Sequence, residues 1–514
     1  MLGRIFKPSS FGMASLIVAG ATLVSYVAGF FRDVIMSGYF GATGETDAYY
    51  ASIALVDNIY TLTTAGALMG VLLPIFRRVY LDNQEEGQKL MGAWMLLSQL
   101  LVLGVSLLAF FFMPELVGGL YKDLGVSEFE MVVNMSRILL LSPIIFTLSN
   151  SIGVVLHSFK HYLAFALSSS FYNLGIIVGL LLFSDEYGVY SVVIGTGIGL
   201  GMHLLIRVVD YLFIDGFKMS WSLWHPEIWK VVKLSLPKMA SLFTLQLTLL
   251  VYNVVGVALI DGSITAFNYA RNVQGFAVSM FGVALSVAVF PFLVDLRADG
   301  DMQKVRLKIE DSILRILVFT LPSSVGLYLL ASDTVNILFN RGAFDEQDLM
   351  MTSMVLMLFA VSISFESLNH LLVRVYNAFE NTVLPLFGGL LFVLVNFGVV
   401  YGFAYENGVS MFGLAYALGF VCQVVVMFGL LRKFVSLDWS RLLKDFGKMF
   451  LAVALMGGVV WGGGNLLRDE FLGVAEFGGV IVLGGLVYML GIWFLGVFRY
   501  TGFEHHVKKF LKNG

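Results

Sequence analysis

Residues 171–179, FYNLGIIVG, and residues 394–402, LVNFGVVYG, share an unusual apolar pattern in which Asn173, Gly175 and Gly179 recur as Asn396, Gly398 and Gly402. A second pair stands in the same order: Ala67-Leu68 runs to Pro74 in ALMGVLLP with the spacing of Ala284-Leu285 to Pro291 in ALSVAVFP. Two matches at nearly the same offset imply two tandem bundles of parallel topology, each with an even number of spans. Such repetition inside an apolar chain points to a transporter.

The composition names the solvent. With 58% hydrophobic and 13% charged residues and a mean hydropathy of +0.86, a water-soluble fold could not hide this much apolar surface. Apolar stretches long enough to cross about 30 Å of hydrocarbon fall near 11–37, 47–76, 90–113, 131–156, 162–183, 189–213, 232–260, 264–294, 311–331, 349–373, 383–404, 409–431, 446–467 and 474–497. The expected fold is therefore an all-α polytopic membrane protein with about fourteen transmembrane helices.

Charge placement supports that count independently. If the N-terminus is cytoplasmic, 26 of the 32 Lys and Arg residues fall on the inner side, leaving Arg32, Lys122, Arg137, Arg271, Arg341 and Arg468. The positive-inside rule then puts both termini in the cytoplasm. The net charge of −3 carries no indication of nucleic acid, because topology accounts for the basic residues. The first apolar run carries Arg32-Asp33 and no evident cleavage site, so it is expected to span rather than to be removed.

Several chemistries are disfavoured. Cys422 is the only cysteine, which excludes an intramolecular disulfide and argues against a thiolate metal site. The seven histidines are scattered, with His505-His506 in the expected cytoplasmic tail, and no nucleotide loop, nucleophile elbow or zincin pattern occurs. The longest polar stretches, near 214–231, 295–310 and 432–445, are too short for a soluble catalytic domain. Neither metal nor cofactor is expected.

Intramembrane charges then carry the functional information, since an ionisable group in hydrocarbon usually faces a cavity or a partner. The candidates are Arg32, Asp33, Asp47, Asp57, Arg271 and Glu366, with Arg137, Lys238, His203, His370 and Arg374 closer to span ends. Arg32-Asp33 reads either as an interfacial anchor or as a cavity pair; neighbouring helical residues point about 100° apart, so both line one cavity only if it is wide or the helix is broken. Arg271 reads as a cavity residue or as one that snorkels to the headgroups. Asp47 and Asp57 could serve the site or be neutralised by burial or a nearby arginine, and Glu366 could titrate, hold a cation or pair structurally.

The stretch 23–60, LVSYVAGFFRDVIMSGYFGATGETDAYYASIALVDNIY, resembles the N-terminal signature of the MurJ (MviN) family, G-F-x-R-D followed by F-G-A and T-D-A-F/Y. Gly29, Phe30, Arg32, Asp33, Phe40, Gly41, Ala42, Thr46, Asp47 and Ala48 match it. AGALMGVLLPIF (65–76), LPSSVGLYLL (321–330) with LFNRGAFDEQD (338–348), and VRVYNAFENTVLP (373–385) resemble later family blocks in the right order. The resemblance implies a fourteen-helix fold of the multidrug, oligosaccharidyl-lipid and polysaccharide exporter superfamily. Two six-helix lobes related by a pseudo-two-fold axis, 1–215 and 216–433, the second preceded by an amphipathic linker, would be followed by two further helices and a cytoplasmic tail, 434–514.

Implied with the fold is a function: flipping of lipid II, the undecaprenyl-pyrophosphate-linked peptidoglycan precursor, across the bacterial inner membrane by alternating access. Arginines suit a pyrophosphate because their planar forks donate charge-assisted hydrogen bonds. The substrate-binding set expected is Arg32, Asp33, Asp47, Asp57, Arg271, Asn272, Glu366 and Arg374. The family's final helices form a groove for the isoprenoid tail, for which GGVVWGGGNLL (457–467) supplies small surfaces. A coupling ion (sodium, proton or chloride) and the membrane potential would drive transport; membrane lipids are the other partners, and a monomer is expected. Thr61 and Leu62 replace a usual arginine pair, Tyr26 replaces another arginine, Asp57 replaces a proline, and the family's A-D-R becomes Ala270-Arg271-Asn272. An exporter of another polyprenyl-linked oligosaccharide or a cation-coupled drug exporter is the alternative, and a membrane glycosyltransferase a third, which would need an acidic catalytic loop that the sequence does not show.

Overall fold

In the computed structural model the described residues are 11–65, 68–467 and 471–502, and among them there is no strand. Among the described residues, eleven helices are long and apolar enough to cross a membrane; they correspond to the third to sixth and the eighth to fourteenth expected spans. The first, second and seventh expected spans fall on the helices Phe11–Phe40, Gly44–Tyr60 with its continuation, and Glu227–Gly256. Ala67, Arg468 and His505-His506 lie outside the described residues, as does the side chain of Lys238.

The chain forms two compact units, residues 1–265 and 266–514. The first contains α1 (Phe11–Phe40), α2 (Gly44–Tyr60), α3 (Leu73–Asp82), α4 (Gln84–Phe111), α5 (Met113–Leu120), α6 (Val126–Leu139), α7 (Leu141–Ser158), α8 (Tyr162–Tyr187), α9 (Tyr190–Tyr211) and α10 (Glu227–Gly256). Helix α11 (Ser263–Ala277) opens at the division, and the second unit continues with α12 (Ala284–Ala298), α13 (Met302–Leu329), α14 (Ala331–Phe339), α15 (Glu346–Ala378), α16 (Val383–Asn407), α17 (Ser410–Leu431), α18 (Trp439–Leu467) and α19 (Val474–Phe494). The last two helices belong to this unit: Tyr488 donates its hydroxyl to the Val318 carbonyl on α13 at 2.6 Å, and Gly484 leaves room for Val460 on α18.

The repeat legible in the sequence has a physical counterpart at two places in each unit. Just before the Ala-Leu…Pro motif the helix loosens to π-helical geometry, at Thr61–Ala65 and again at Val278–Val283, at the same distance ahead of Pro74 and Pro291. A π-turn closes its hydrogen bonds over five residues rather than four, which widens the helix locally. The other place is the C-terminus of α7 and of α15. There HSFKH (157–161) and NAFEN (377–381) both close with a Schellman motif: His161 N–H reaches Leu156 O at 2.8 Å and Lys160 N–H reaches His157 O at 3.1 Å, as Asn381 N–H reaches Tyr376 O and Glu380 N–H reaches Asn377 O, each at 3.0 Å. Lys160 and Glu380 hold the left-handed conformation, φ 64° and 58°, that glycine normally takes. Arg77 and Arg297 then donate to the carbonyls of Ser158 and Ala378, neutralising the negative end of each helix.

The repeated glycines do different jobs. A Cβ on Gly175 would lie 2.2 Å from the Gly199 Cα, and one on Gly179 the same distance from the Gly195 Cα, so α8 and α9 approach backbone to backbone. Gly398 and Gly402 meet nothing within 4 Å.

Gly175→Val is therefore expected to lower the thermal midpoint of the purified protein, overpacking of this kind costing about 1–3 kcal/mol, while Gly398→Val moves it little. Equal effects in a fluorescence-based melt would show that the α8–α9 contact is not the tight one. Lys160→Gly and Glu380→Gly relieve a left-handed side chain worth roughly 1 kcal/mol each, and each should raise the same midpoint.

Candidate functional site

In the first unit the candidate site is built on α1, α2, α8 and α9. Arg32 folds back on its neighbour: Nε and Nη2 donate to Asp33 Oδ1 at 2.9 and 2.7 Å, and Nη1 donates to Asn173 Oδ1 at 3.1 Å. Asp33 is fully buried and the Arg32 side chain 19% exposed. Adjacent residues thus meet without a break in the helix, because the long guanidinium arm curls over the short carboxylate. The pair lies well inside α1, against the middle of α8. Asn173 also donates to Ser25 O at 3.3 Å, tying α8 to α1, and Gly29 leaves the space it occupies.

Around this pair stand Tyr49, Tyr172 and Asp57. Tyr49 lies within electrostatic reach of Arg32, Asp33 and Asp57, and its hydroxyl is 3.4 Å from Thr196 Oγ1. Tyr172 is within reach of Tyr49, Asp57 and Arg32. Asp57 is half-buried on α2. Thr61 is buried and accepts a 3.4 Å hydrogen bond from Gln246 on α10.

Asp47 does something else. Its Oδ2 accepts from Gly262 N–H at 2.9 Å, and its Oδ1 from Thr265 N–H at 2.8 Å and Thr265 Oγ1 at 2.7 Å, while Thr46 Oγ1 is 2.9 Å from Thr265 Oγ1. It caps the N-terminus of α11 from the start of α2, satisfying amides that no helical carbonyl can reach. Gly262, φ +87°, permits the approach, since a Cβ there would fall 1.8 Å from Ala42 O. The matched block FGATGETDA is in large part this corner.

The second unit holds another cluster. Arg271 on α11 donates Nη2 to Asn268 Oδ1 at 3.3 Å and sits 5.9 Å from the Phe267 ring centroid, while its buried Nε has no hydrogen-bond partner. Glu366 on α15 accepts from Gln274 Nε2 at 2.7 Å and from the Tyr416 hydroxyl at 3.2 Å, and Arg271 is within electrostatic reach. Gln274 also donates to Ser362 Oγ at 3.1 Å. Asn272 is half-buried on α11 beside Arg271. Arg374 lies about two turns beyond Glu366 on α15, 6.0 Å from the Phe290 ring centroid, and is thus not part of the Glu366 cluster. His370 lies between them, half-buried.

Three residues with basic or imidazole side chains turn out to be structural. His203 is buried with Nδ1 2.9 Å from Ser149 Oγ. Arg207, counted above with the cytoplasmic charges, is buried inside the first unit, donating to Ser168 Oγ and Ser149 O at 3.0 Å and stacking 4.5 Å from the Phe165 ring centroid. Arg137 donates to Phe110 O at 3.1 Å, pinning α6 to α4. Sequence reasoning missed Asn173, Gln274 and Tyr416 as site residues. Only Asn173 carried a signal, its place in the repeat, and that was read as architecture.

Membrane-spanning helices in two internally similar units, each with charged groups held inside the helical bundle, define a polytopic membrane transporter. The fold matches that of solved transporters: a lipid II flippase MurJ in an inward closed conformation (TM-score 0.79, 24% identity, 93% of this chain and 98% of that one) and an inward-facing multidrug resistance MATE family transporter of the MOP superfamily (TM-score 0.67, 14% identity, 82% and 97%). The sequence profile of the family "Lipid II flippase MurJ" matches residues 36–479, and the chain belongs to that family. Among its relatives are two proteins named "Probable lipid II flippase MurJ". The one from Aquifex aeolicus is 28% identical, over 90% of this chain and 91% of its own length; the one from Thermotoga maritima is 27% identical, over 95% and 94%.

Asp47→Ala leaves the first amides of α11 without their acceptor and should cost about 1–2 kcal/mol as a lost cap, read as a lower thermal midpoint. Asp47→Asn, which keeps an acceptor oxygen, should recover at least half of that loss. An unchanged midpoint in Asp47→Ala would take the cap out of the fold's stability.

Proposed function

We infer that this chain moves lipid II from the cytoplasmic to the outer leaflet of the bacterial inner membrane, exposing a headgroup site alternately to the two sides. Membership of the MurJ family, over most of the chain, is the observation that carries this reading. No covalent chemistry is needed, so the demands on the protein are to bind an anionic headgroup inside the membrane and to release it.

Arg271 suits the binding role best. Its neighbour Asn268 holds only one edge of the guanidinium, and the buried Nε is a donor with no acceptor. A buried donor left unpaired costs about 1–3 kcal/mol, which a phosphate oxygen arriving there would recover. Arg32 is different, being already neutralised by Asp33 and fixed by Asn173. It can bind an anion only by sharing donors or by exchanging Asp33 for the ligand, and that exchange offers a means of release.

We place ion coupling at Glu366. Both of its hydrogen bonds come from neutral donors, Gln274 and Tyr416. A carboxylate held so in the middle of α15 is expensive when charged, unless a proton or cation joins it or Arg271 approaches. Asn272 supports the site from α11, while Asp57 adds a second carboxylate near the Arg32–Asp33 pair.

In cells depleted of their own lipid II flippase, expression of this chain is expected to restore growth, and failure despite good membrane expression would overturn the reading. Arg271→Ala should abolish rescue at normal protein level, because the side chain is lightly held. Arg32→Ala should lower both rescue and protein level, since it strands buried Asp33, a loss of about 3–5 kcal/mol; Arg32→Gln with Asp33→Asn separates folding from function and should restore the protein level alone. Glu366→Gln keeps the hydrogen-bonding shape and should leave the protein stable while flattening the pH dependence of lipid II translocation in proteoliposomes. A wild-type pH profile in that variant would remove Glu366 from coupling.

A further inference from the structure

Three of the chain's seven tryptophans, Trp221, Trp224 and Trp229, fall within nine residues of the linker between α9 and α10 and the first turn of α10. Their relative exposures are 71%, 56% and 67%, and Leu223 between them reaches 80%. The linker itself is tightly held. Phe217 is buried among Phe76, Tyr80 and Phe159, with ring centroids 5.6–5.9 Å apart. The Ser220 carbonyl lies where a Cβ on Gly92 would be, 2.0 Å away, and buried His225 faces Glu86 at 3.4 Å. One side of the segment is thus fastened to α3, α4 and α7, and the other turns large aromatic side chains outward. A linker that merely joined two helices through water would not expose three indoles while burying a histidine.

The indoles lie between the end of α9 and the first turn of α10, on the side expected from the sequence to collect most of the chain's lysines and arginines. Lys218, Lys230 and Lys233 are exposed beside them, while Glu227 is engaged by Arg78 at 2.8 Å, which leaves the lysines in excess. Indole combines an apolar body with a donor tip and is favoured at headgroup depth, and exposed lysines there attract anionic lipid. We propose that residues 218–233 form a membrane-surface anchor, with Trp221, Leu223, Trp224 and Trp229 inserted among the headgroups of the cytoplasmic leaflet and Lys218, Lys230 and Lys233 bound to anionic phospholipid. The anchor is independent of what the transporter carries.

The test uses the full chain in lipid nanodiscs, with Cys422→Ser removing the one native thiol. Spin labels at Trp221→Cys and, separately, Trp224→Cys are compared with a label at Lys304→Cys, an exposed position near the start of α13, for collision with oxygen and with a water-soluble nickel chelate. Expected is an oxygen-to-chelate ratio several-fold higher at 221 and 224 than at 304, rising further when phosphatidylcholine is replaced in part by phosphatidylglycerol. In the Lys218→Gln/Lys230→Gln/Lys233→Gln variant that further rise should disappear. A ratio equal to that at 304 would mean the indoles sit in water, and inaccessibility to both reagents would mean protein covers them; either result overturns the anchor. A ratio indifferent to phosphatidylglycerol overturns the lysine contribution. Size-exclusion profile and thermal midpoint of each variant confirm that it is folded.

Discussion

Inside hydrocarbon no backbone or charged group can fall back on water, so each must find its partner within the protein. Most of the unusual contacts of this structure answer that demand. Asp47 supplies the oxygens that the first amides of α11 lack, reaching them from another helix. Arg77 and Arg297 supply the donors that the last carbonyls of α7 and α15 lack. Arg32 is held by Asp33 and Asn173, and Arg207 by Ser168 and the Ser149 carbonyl. Arg271 Nε is the cationic donor among the buried side-chain atoms of the described residues that are left without a partner, and in such a solvent an idle donor is costly.

The two units keep the same solutions where the solvent imposes them and part company where function does. The Schellman closures at Lys160 and Glu380 recur because a helix end poses the same problem in each copy, and the π-helical turns at Thr61–Ala65 and Val278–Val283 recur with them. The charged clusters do not recur. The first unit holds a compensated pair beside tyrosines, the second an arginine with a spare donor and a carboxylate among neutral donors. The anion binding and ion coupling proposed above would have use for such inequality, whereas a symmetric pair of clusters would bind alike in both units.

Much of this was legible in the residues. Apolar run length gave the helical membrane class, and the FFRD…FGA…TDA block identified the family. Reading the block's meaning was harder. Asp47 looked like a site residue because an intramembrane carboxylate usually is one, yet its oxygens are spent on α11. Asn173 looked architectural because its repeat partner Asn396 lies in the same pattern, yet it meets Arg32, since the α8 face it occupies packs on α1 at Gly29. Gln274 and Tyr416 gave no signal, as neutral residues in apolar helices are common and only their convergence on Glu366 gives them significance.

The sequence by itself determined the solvent, the helical class, the internal duplication and the family, because each follows from composition, period or a local motif that survives without knowing which helices touch. Tertiary structure alone decided which charges are spent and which are available. Whether Asp33 silences Arg32, whether Asp47 caps a helix or awaits an ion, and whether three tryptophans face protein or lipid depend on contacts between residues tens to hundreds of positions apart. Hydrogen bonds act over about 3 Å, so only the packed chain brings those groups together.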